Sequence, residues 1–339
     1  MPTGTVNVTA SPASERHPTR VLPGDADGIA EAARMLAAGG LVAFPTETVY
    51  GLGADATNAE AVARLYEAKE RPAFNPLIVH VAATGAAERI GHFSEAALLL
   101  AAKFWPGPLT LVVRTRPSCT VCDLARAGLD TVALRVPKHP VAHPLLETVA
   151  RPIVAPSANR SGHVSPTTAD HVITDLRGRI DAVLDGGPTP LGLESTIVDC
   201  SGEEARLLRP GAIARETIEA ALGAQLSDVP VHPHKPSAPG QLASHYATRA
   251  KIRLDVTEVQ PGEALLAFGT PLPKGAERAA FTLDLSPKRD LVQAAANLFA
   301  YLRSLDATEA HTIAVAPIPV EGLGEAIRDR LMRAAAPRS

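Results

Sequence analysis

The chain has 339 residues, enough for two domains, and its 46% apolar and 20% charged residues are the balance of a soluble protein with a sizeable core. A formal net charge of -3 argues against a dedicated nucleic-acid binder, which needs surplus Lys and Arg to displace counterions from phosphates, although a local basic cleft stays open. No apolar run is long enough for a signal peptide or a membrane span, and a cytoplasmic protein with no membrane contact is the expectation.

In chain order, residues 1–22 are polar and rich in Ser, Thr and Pro, and are expected to be a disordered tail. From residue 23 to residue 223, short apolar strands alternate with amphipathic helices. Asp27 is expected to cap a helix that Gly39 and Gly40 end. Strand Leu41–Phe44 follows and stops at Pro45, and Asn58 caps the next helix. Further strands are expected at Leu77–Val81, Leu109–Val113, Thr131–Val136, Ile153–Ala155, Ala182–Leu184 and Thr196–Asp199. Helices are expected around Ala96–Lys103, Leu145–Ala150 and Ala169–Leu176. The interleaving predicts an α/β domain with a mixed or parallel sheet. Residues 224–249 are proline-rich and read as an extended linker, and residues 250–339 as a small second α/β domain.

The three cysteines are too few for a disulfide framework and fit a reducing compartment. Cys119 and Cys122 form one C-x-x-C without a second ligand pair for zinc; a redox pair or two small, half-buried residues remain the readings.

Five polar segments carry the chemistry. In Phe44-Pro-Thr-Glu-Thr-Val-Tyr-Gly-Leu-Gly53, Thr46 and Thr48 can donate to a carboxylate or phosphate at a strand end, where α/β sheets place ligands; a polar turn is the plain alternative. Lys69 and Arg71 sit at a helix end, where they can simply favour the dipole, but Asn75 and a strand ending at His80 would bring further donors to the same rim. Arg135 alternates with Val and Leu on an apolar strand. Burying it is costly unless it meets an anion, which makes it the favoured clamp for a substrate carboxylate; a surface-facing strand residue is the other reading. Ala155-Pro-Ser-Ala-Asn-Arg-Ser-Gly162, with Ser157, Asn159 and then Ser165, is a strand opening into a loop of the kind that holds phosphate and ribose. Gly186-Gly187, Glu194-Ser195-Thr196 and Arg209 are weak individually. The sequence holds no G-x-x-x-x-G-K-[ST] loop and no G-x-S-x-G elbow, so neither a Walker NTPase nor a serine nucleophile is indicated. His232 and His234 read as solvated loop histidines.

Together and in this order, the segments from Asp27 to Ile213 resemble the YrdC-like threonylcarbamoyl-AMP synthases, above all in the K-x-R of Lys69 and Arg71, Asn-Pro-Leu-Ile-Val-His80, and Ser157-x-Asn159. The proline-rich run and His245-Tyr246-Ala247 resemble the linker of the long two-domain form, with Gln241, Ala243 and Thr248 departing from its usual P-G-M-x-Y-x-H-Y-A-P. The resemblance implies an open twisted mixed sheet with helices, plus a smaller Rossmann-like C-terminal domain. It implies condensation of L-threonine, bicarbonate (or CO2) and ATP into threonylcarbamoyl-AMP with release of pyrophosphate, Mg²⁺ arriving with ATP. Other proteins, a tRNA threonylcarbamoyl-transfer complex, would then modify tRNAs decoding ANN codons; contact with tRNA by this chain itself would be weak. By the same resemblance Thr46, Thr48, His80, Arg135, Ala155 and Ser195 would hold threonine or its carbamate, and Arg71, Asn75, Thr131, Ser157, Ser165 and Arg209 the ATP, with Lys69 and Asn159 nearby. Lys69 and Arg71 would neutralise the leaving group, and Tyr246 would cover the nucleotide from the linker. A non-catalytic RNA-binding module is the alternative, which the net charge disfavours.

Overall fold

The computed structural model describes residues 18–228 and 245–337. In chain order the larger unit contains β1 (Arg20–Pro23), α1 (Ala26–Ala37), β2 (Val42–Pro45), β3 (Tyr50–Asp55), α2 (Ala59–Lys69), β4 (Ile78–His80), α3 (Thr84–Ile90), β5 (Gly91–His92) and α4 (Glu95–Phe104). It continues with β6 (Leu109–Thr115), β7 (Thr131–Arg135), α5 (Ala142–Val149), β8 (Ile153–Val154), α6 (Ala169–Leu176), β9 (Ala182–Asp185), β10 (Thr196–Asp199), β11 (Arg206–Arg209), α7 (Arg215–Leu222) and β12 (Ser227–Asp228). These described strands form one twelve-stranded mixed sheet in the order β1-β9-β2-β3-β8-β4-β7-β6-β10-β11-β12, with β5 pairing on β6. The smaller unit holds β13 (Lys251–Arg253), β14 (Ala264–Ala267), β15 (Phe281–Asp284), α8 (Leu291–Asp306), β16 (Thr312–Val315) and α9 (Leu323–Ala335). Its four strands run parallel in the order β13-β16-β14-β15, the all-parallel arrangement that helical crossovers produce.

Local signals account for most of these elements. Asn58 caps α2 by accepting from the Glu60 and Ala61 amides, as expected. The cap of α1 is Asp25 rather than Asp27; it accepts from Gly28 N, which leaves Asp27 in the first turn. Residues 20–22, expected in the tail, belong to β1, whose register on β9 pairs Val21 with Val183 and buries Leu22. Residues 227–228, expected in the linker, form β12 beside β11. Strand β3 was hidden by its two glycines: Gly51 and Gly53 pair with Phe44 and Val42, and a Cβ on Gly53 would lie 2.8 Å from the Phe44 ring. The proline-rich run with His232 and His234 lies outside the described residues.

The two units share apolar packing. The core around Phe268, Leu298 and Ile327 of the smaller unit also takes in Val49, Val164 and Leu193 from the larger one. Gly192 has a positive φ of 66°, and a Cβ there would stand 2.4 Å from the Ala296 carbonyl oxygen, so α8 lies directly on the backbone at this point. Arg303 of α8 adds an ion pair to Asp175 at 3.0 Å.

Candidate active site

Central strands β4 and β7 run parallel with His80 opposite Arg135 and Ile78 opposite Ala133. Side chains two apart on a strand share a face, so Ile78 and His80, and Thr131, Ala133 and Arg135, look onto the same side of the sheet. Over that face lies a cavity with about 50 Å³ of solvent-accessible space, lined by Thr48 and Val49 from the β2–β3 turn, Arg71, Ile78, His80, Arg135, the Ala155–Ser157 segment, Glu194, Ser195, Arg209, His245 and Tyr246. Residues from eight separate stretches of sequence thus meet at one place.

At one end stands Arg135, only 4% exposed. Its Nη1 donates to Thr48 Oγ1 at 3.0 Å, and its Nη2 lies 2.8 Å from Glu47 Oε1, close in distance though outside hydrogen-bond alignment. The anion that permits its burial is therefore the chain's own Glu47. Thr46 does not line the cavity; its hydroxyl is 2.8 Å from Thr48 Oγ1 and donates to the Val49 carbonyl, which fixes the turn. His80 is buried with Nδ1 unpartnered among the described residues, and burial together with the nearby Arg135 cation pushes its pKa down to about 3. Ser195 Oγ is 2.8 Å from Thr110 Oγ1, and Arg209 Nη2 donates to the Ser195 carbonyl at 2.8 Å.

The other end is built by the turn after α2. Glu70 takes a left-handed conformation (φ 53°), which sends Lys69 inward and Arg71 towards the cavity. Arg71 donates to the carbonyls of Asn75 and Pro76, and burial lowers its pKa to about 10. Lys69 does not line the cavity. Its ammonium donates to the carbonyls of Ser157, at 2.5 Å, and Asn159, and burial, then the Arg71 charge, lowers its pKa well below the ordinary range. Lys69 thus holds the 157–159 loop from behind. Asn159 is also behind the wall, donating to the carbonyls of Arg160 and His163. Asn75 is buried beside Arg71 with Oδ1 unpartnered among the described residues. Thr131 is not among the lining residues; the register puts it level with Pro76, ~13 Å along β7 from Arg135.

The smaller unit closes the cavity. Tyr246 stacks on Phe299 of α8 at 5.3 Å, and His245 packs edge-on against it at 4.1 Å. Burial lowers the His245 pKa to about 3. Ser165 is fully buried and donates to Glu194 Oε1 at 2.6 Å instead of facing the cavity, while Glu194 Oε2 accepts from Arg330 Nε of α9 at 3.0 Å. Burial alone would raise the Glu194 carboxyl, but Arg330, Arg209 and the two hydrogen bonds outweigh it and hold the pKa down to about 2. Glu47, Thr110, Glu194, His245 and Arg330 were not read as site residues from the sequence. Glu47, Glu194 and His245 lie inside segments the sequence singles out, whereas nothing near Arg330 points to a residue 136 positions away. Cys119 and Cys122 are free thiols packed half-buried against the main core, away from the cavity.

An α/β sheet whose strand ends meet an arginine-lined cavity is the arrangement of an enzyme for anionic substrates. Known proteins agree with it. A family model described as telomere recombination matches residues 34–211, and one described as the threonylcarbamoyl-AMP synthase C-terminal domain matches 213–336. The threonylcarbamoyl-AMP synthase of Bacillus subtilis is 42% identical, covering 91% of this chain and 93% of its own. That of Pyrococcus abyssi is 40% identical over 89% and 92%. The crystal structure of P. abyssi Sua5 complexed with L-threonine superposes with a TM-score of 0.86 at 37% identity, covering 94% of this chain and 98% of that one. The chain belongs to the threonylcarbamoyl-AMP synthase family.

Proposed function

We propose that the cavity over β4 and β7 is where this chain joins L-threonine, bicarbonate and ATP into threonylcarbamoyl-AMP. The observation that carries the reading is the meeting of Thr48, His80, Arg135 and Ser195 at one end and Arg71 and Ser157 at the other within a single cavity. Threonine's carboxylate meets Arg135 and Thr48. Its amine lies within reach of His80, which at a pKa of about 3 accepts a hydrogen bond but is too weak a base to strip an ammonium. Once neutral by proton loss to solvent, the amine attacks bicarbonate with expulsion of water (or CO2 with release of a proton) to give a carbamate, and a carbamate oxygen displaces pyrophosphate at the α-phosphate of ATP. This step needs alignment and positive charge more than covalent help, and Arg71 and Arg209 supply it, with Lys69 setting the loop that carries Ser157.

Mg²⁺ enters as MgATP. Both oxygens of Glu194, the one carboxylate among the described residues that line the cavity, are already engaged by Ser165 and Arg330, so magnesium is best held by the triphosphate itself. Tyr246 and His245 shield the mixed anhydride from water. The product passes to a tRNA threonylcarbamoyl-transfer complex that modifies tRNAs decoding ANN codons, and the cytoplasm is the natural setting; no helix among the described residues is long and apolar enough to cross a membrane. The test is pyrophosphate release by purified protein from MgATP. Release that needs both threonine and bicarbonate supports the reading, and release indifferent to either one defeats it.

A further inference from the structure

The smaller unit sends one charged side chain to the wall of the cavity. Arg330 of α9 is 0% exposed, donates through Nε to Glu194 Oε2 at 3.0 Å and through Nη1 to the Pro210 carbonyl at 2.8 Å, and holds its Cζ 5.6 Å from the Tyr246 ring centroid. Glu194 lines the cavity beside Arg209 and Tyr246. Its carboxylate is thus a negative charge at the edge of a space that, on the reading above, must accept a polyphosphate.

We propose that Arg330 is a positioning residue for MgATP, whose ion pair with Glu194 cancels the one negative charge among the described residues of the cavity wall and keeps Tyr246 in place over the nucleotide. The inference rests on the site reading above. Geometry supports the cancellation. Glu194 takes one bond from Ser165 and one from Arg330, so removing Arg330 leaves a buried carboxylate short of its closest cation. Asp329, the other acid on Arg330, keeps a second partner in Arg333 at 3.0 Å and does not depend on it. A low-dielectric cavity screens little, so an uncancelled Glu194 repels the phosphates of ATP directly. Threonine, zwitterionic overall and held at the Arg135 end, feels it far less. Through this pair the smaller unit takes part in nucleotide binding without itself lining the phosphate path.

Opposite signs make the test decisive. In steady-state pyrophosphate release, Arg330→Met is expected to raise the KM for MgATP about tenfold with kcat and the KM for threonine changed less than about twofold. Glu194→Gln, which leaves Arg330 as excess positive charge, is expected to lower the KM for MgATP about twofold, and the R330M/E194Q double variant to return within about twofold of wild type, a strongly non-additive cycle. An unchanged KM for MgATP in R330M overturns the proposal, as does an equal loss for both substrates that E194Q fails to rescue. Should R330M not fold, E194Q alone decides, because a raised KM for MgATP in it contradicts the cancellation. Arg71→Ala separates the two levels. A flat response in R330M and E194Q beside an impaired R71A overturns this inference alone, whereas a flat response in all three overturns the site reading and this inference with it.

Discussion

Arg135 and Glu47 face each other at 2.8 Å with side chains 4% and 7% exposed, so the cation expected to clamp a substrate carboxylate already leans on one of the chain's own. Arriving threonine must share that guanidinium. Arg135→Ala is expected to raise the KM for threonine ~30-fold or more while that for ATP changes little, the usual scale for losing one member of a buried charge pair. Glu47 is then buried without its cation, which costs ~3–5 kcal/mol of stability. Initial rates with each substrate varied in turn, plus urea unfolding, check both parts; equal losses for threonine and ATP would contradict the clamp.

Lys69 and the Ser157 carbonyl make a different kind of claim, because that ammonium supports a loop. Lys69→Met is expected to lower kcat ~100-fold, the scale on which a positioned group displaced by about 1 Å costs rate. Threonine affinity, read by equilibrium dialysis with labelled threonine, should stay near wild type. Unchanged turnover would remove Lys69 from the mechanism.

The sequence shows this structure only as far as its signals are local. Asn58, the K-x-R turn and the Thr196–Asp199 strand are local patterns, and they appear in the fold where the spacing put them. Strand β3 was not seen, since glycine carries no strand preference and only the fit of Gly53 under Phe44 makes it one. Arg135 reads as a cation that needs an anion if it is buried, but which anion is a tertiary fact that Glu47, with strands β3 to β6 between them in the chain, does not announce. Ser165, a hydroxyl in a promising loop, turns away to Glu194, and Thr131 shares the right face yet stands outside the cavity lining. Arg330 had no signal at all, because a helix-borne arginine reads as solvated until its neighbours are known.

Buried histidines set the acid behaviour, His80 and His245 most strongly, with His171 (down to about 4) and His139 shifted the same way by burial. His80 and His245 have pKa values near 3 in the folded chain against an ordinary 6.5, so the unfolded chain takes up protons first as pH falls. Stability is full above about pH 6.5 and is lost on the way down towards 3, at a slope of ~1.4 kcal/mol per pH unit for each histidine. Below 4.5 Glu194 adds to the loss, its depressed carboxyl being stabilising only while ionised. Urea unfolding at pH 7, 6 and 5 should show this slope, and His80→Gln should remove one proton from it; a flat profile would refute the assignment of both rings as neutral.

Gly192 tests the junction of the two units. Its positive φ and the 2.4 Å approach of the Ala296 carbonyl leave no room for a methyl group. Gly192→Ala is expected to cost ~2–3 kcal/mol, from left-handed strain plus overpacking, seen as a lower urea midpoint at unchanged slope. Gly187→Ala is the control: its φ of 80° is likewise positive but no atom lies within 4 Å, so only the strain component should remain.

Val49 follows directly on Thr48, yet its side chain is buried among Phe268, Leu298 and Ile327. The turn that presents Thr48 is therefore moulded by residues more than two hundred positions downstream, and neither unit completes its interior alone. Heated in a calorimeter, the protein should absorb heat in one endotherm, both units melting together, and a chain cut before residue 245 should expose Val49, Val164 and Leu193 to water and aggregate instead of surviving as a smaller enzyme.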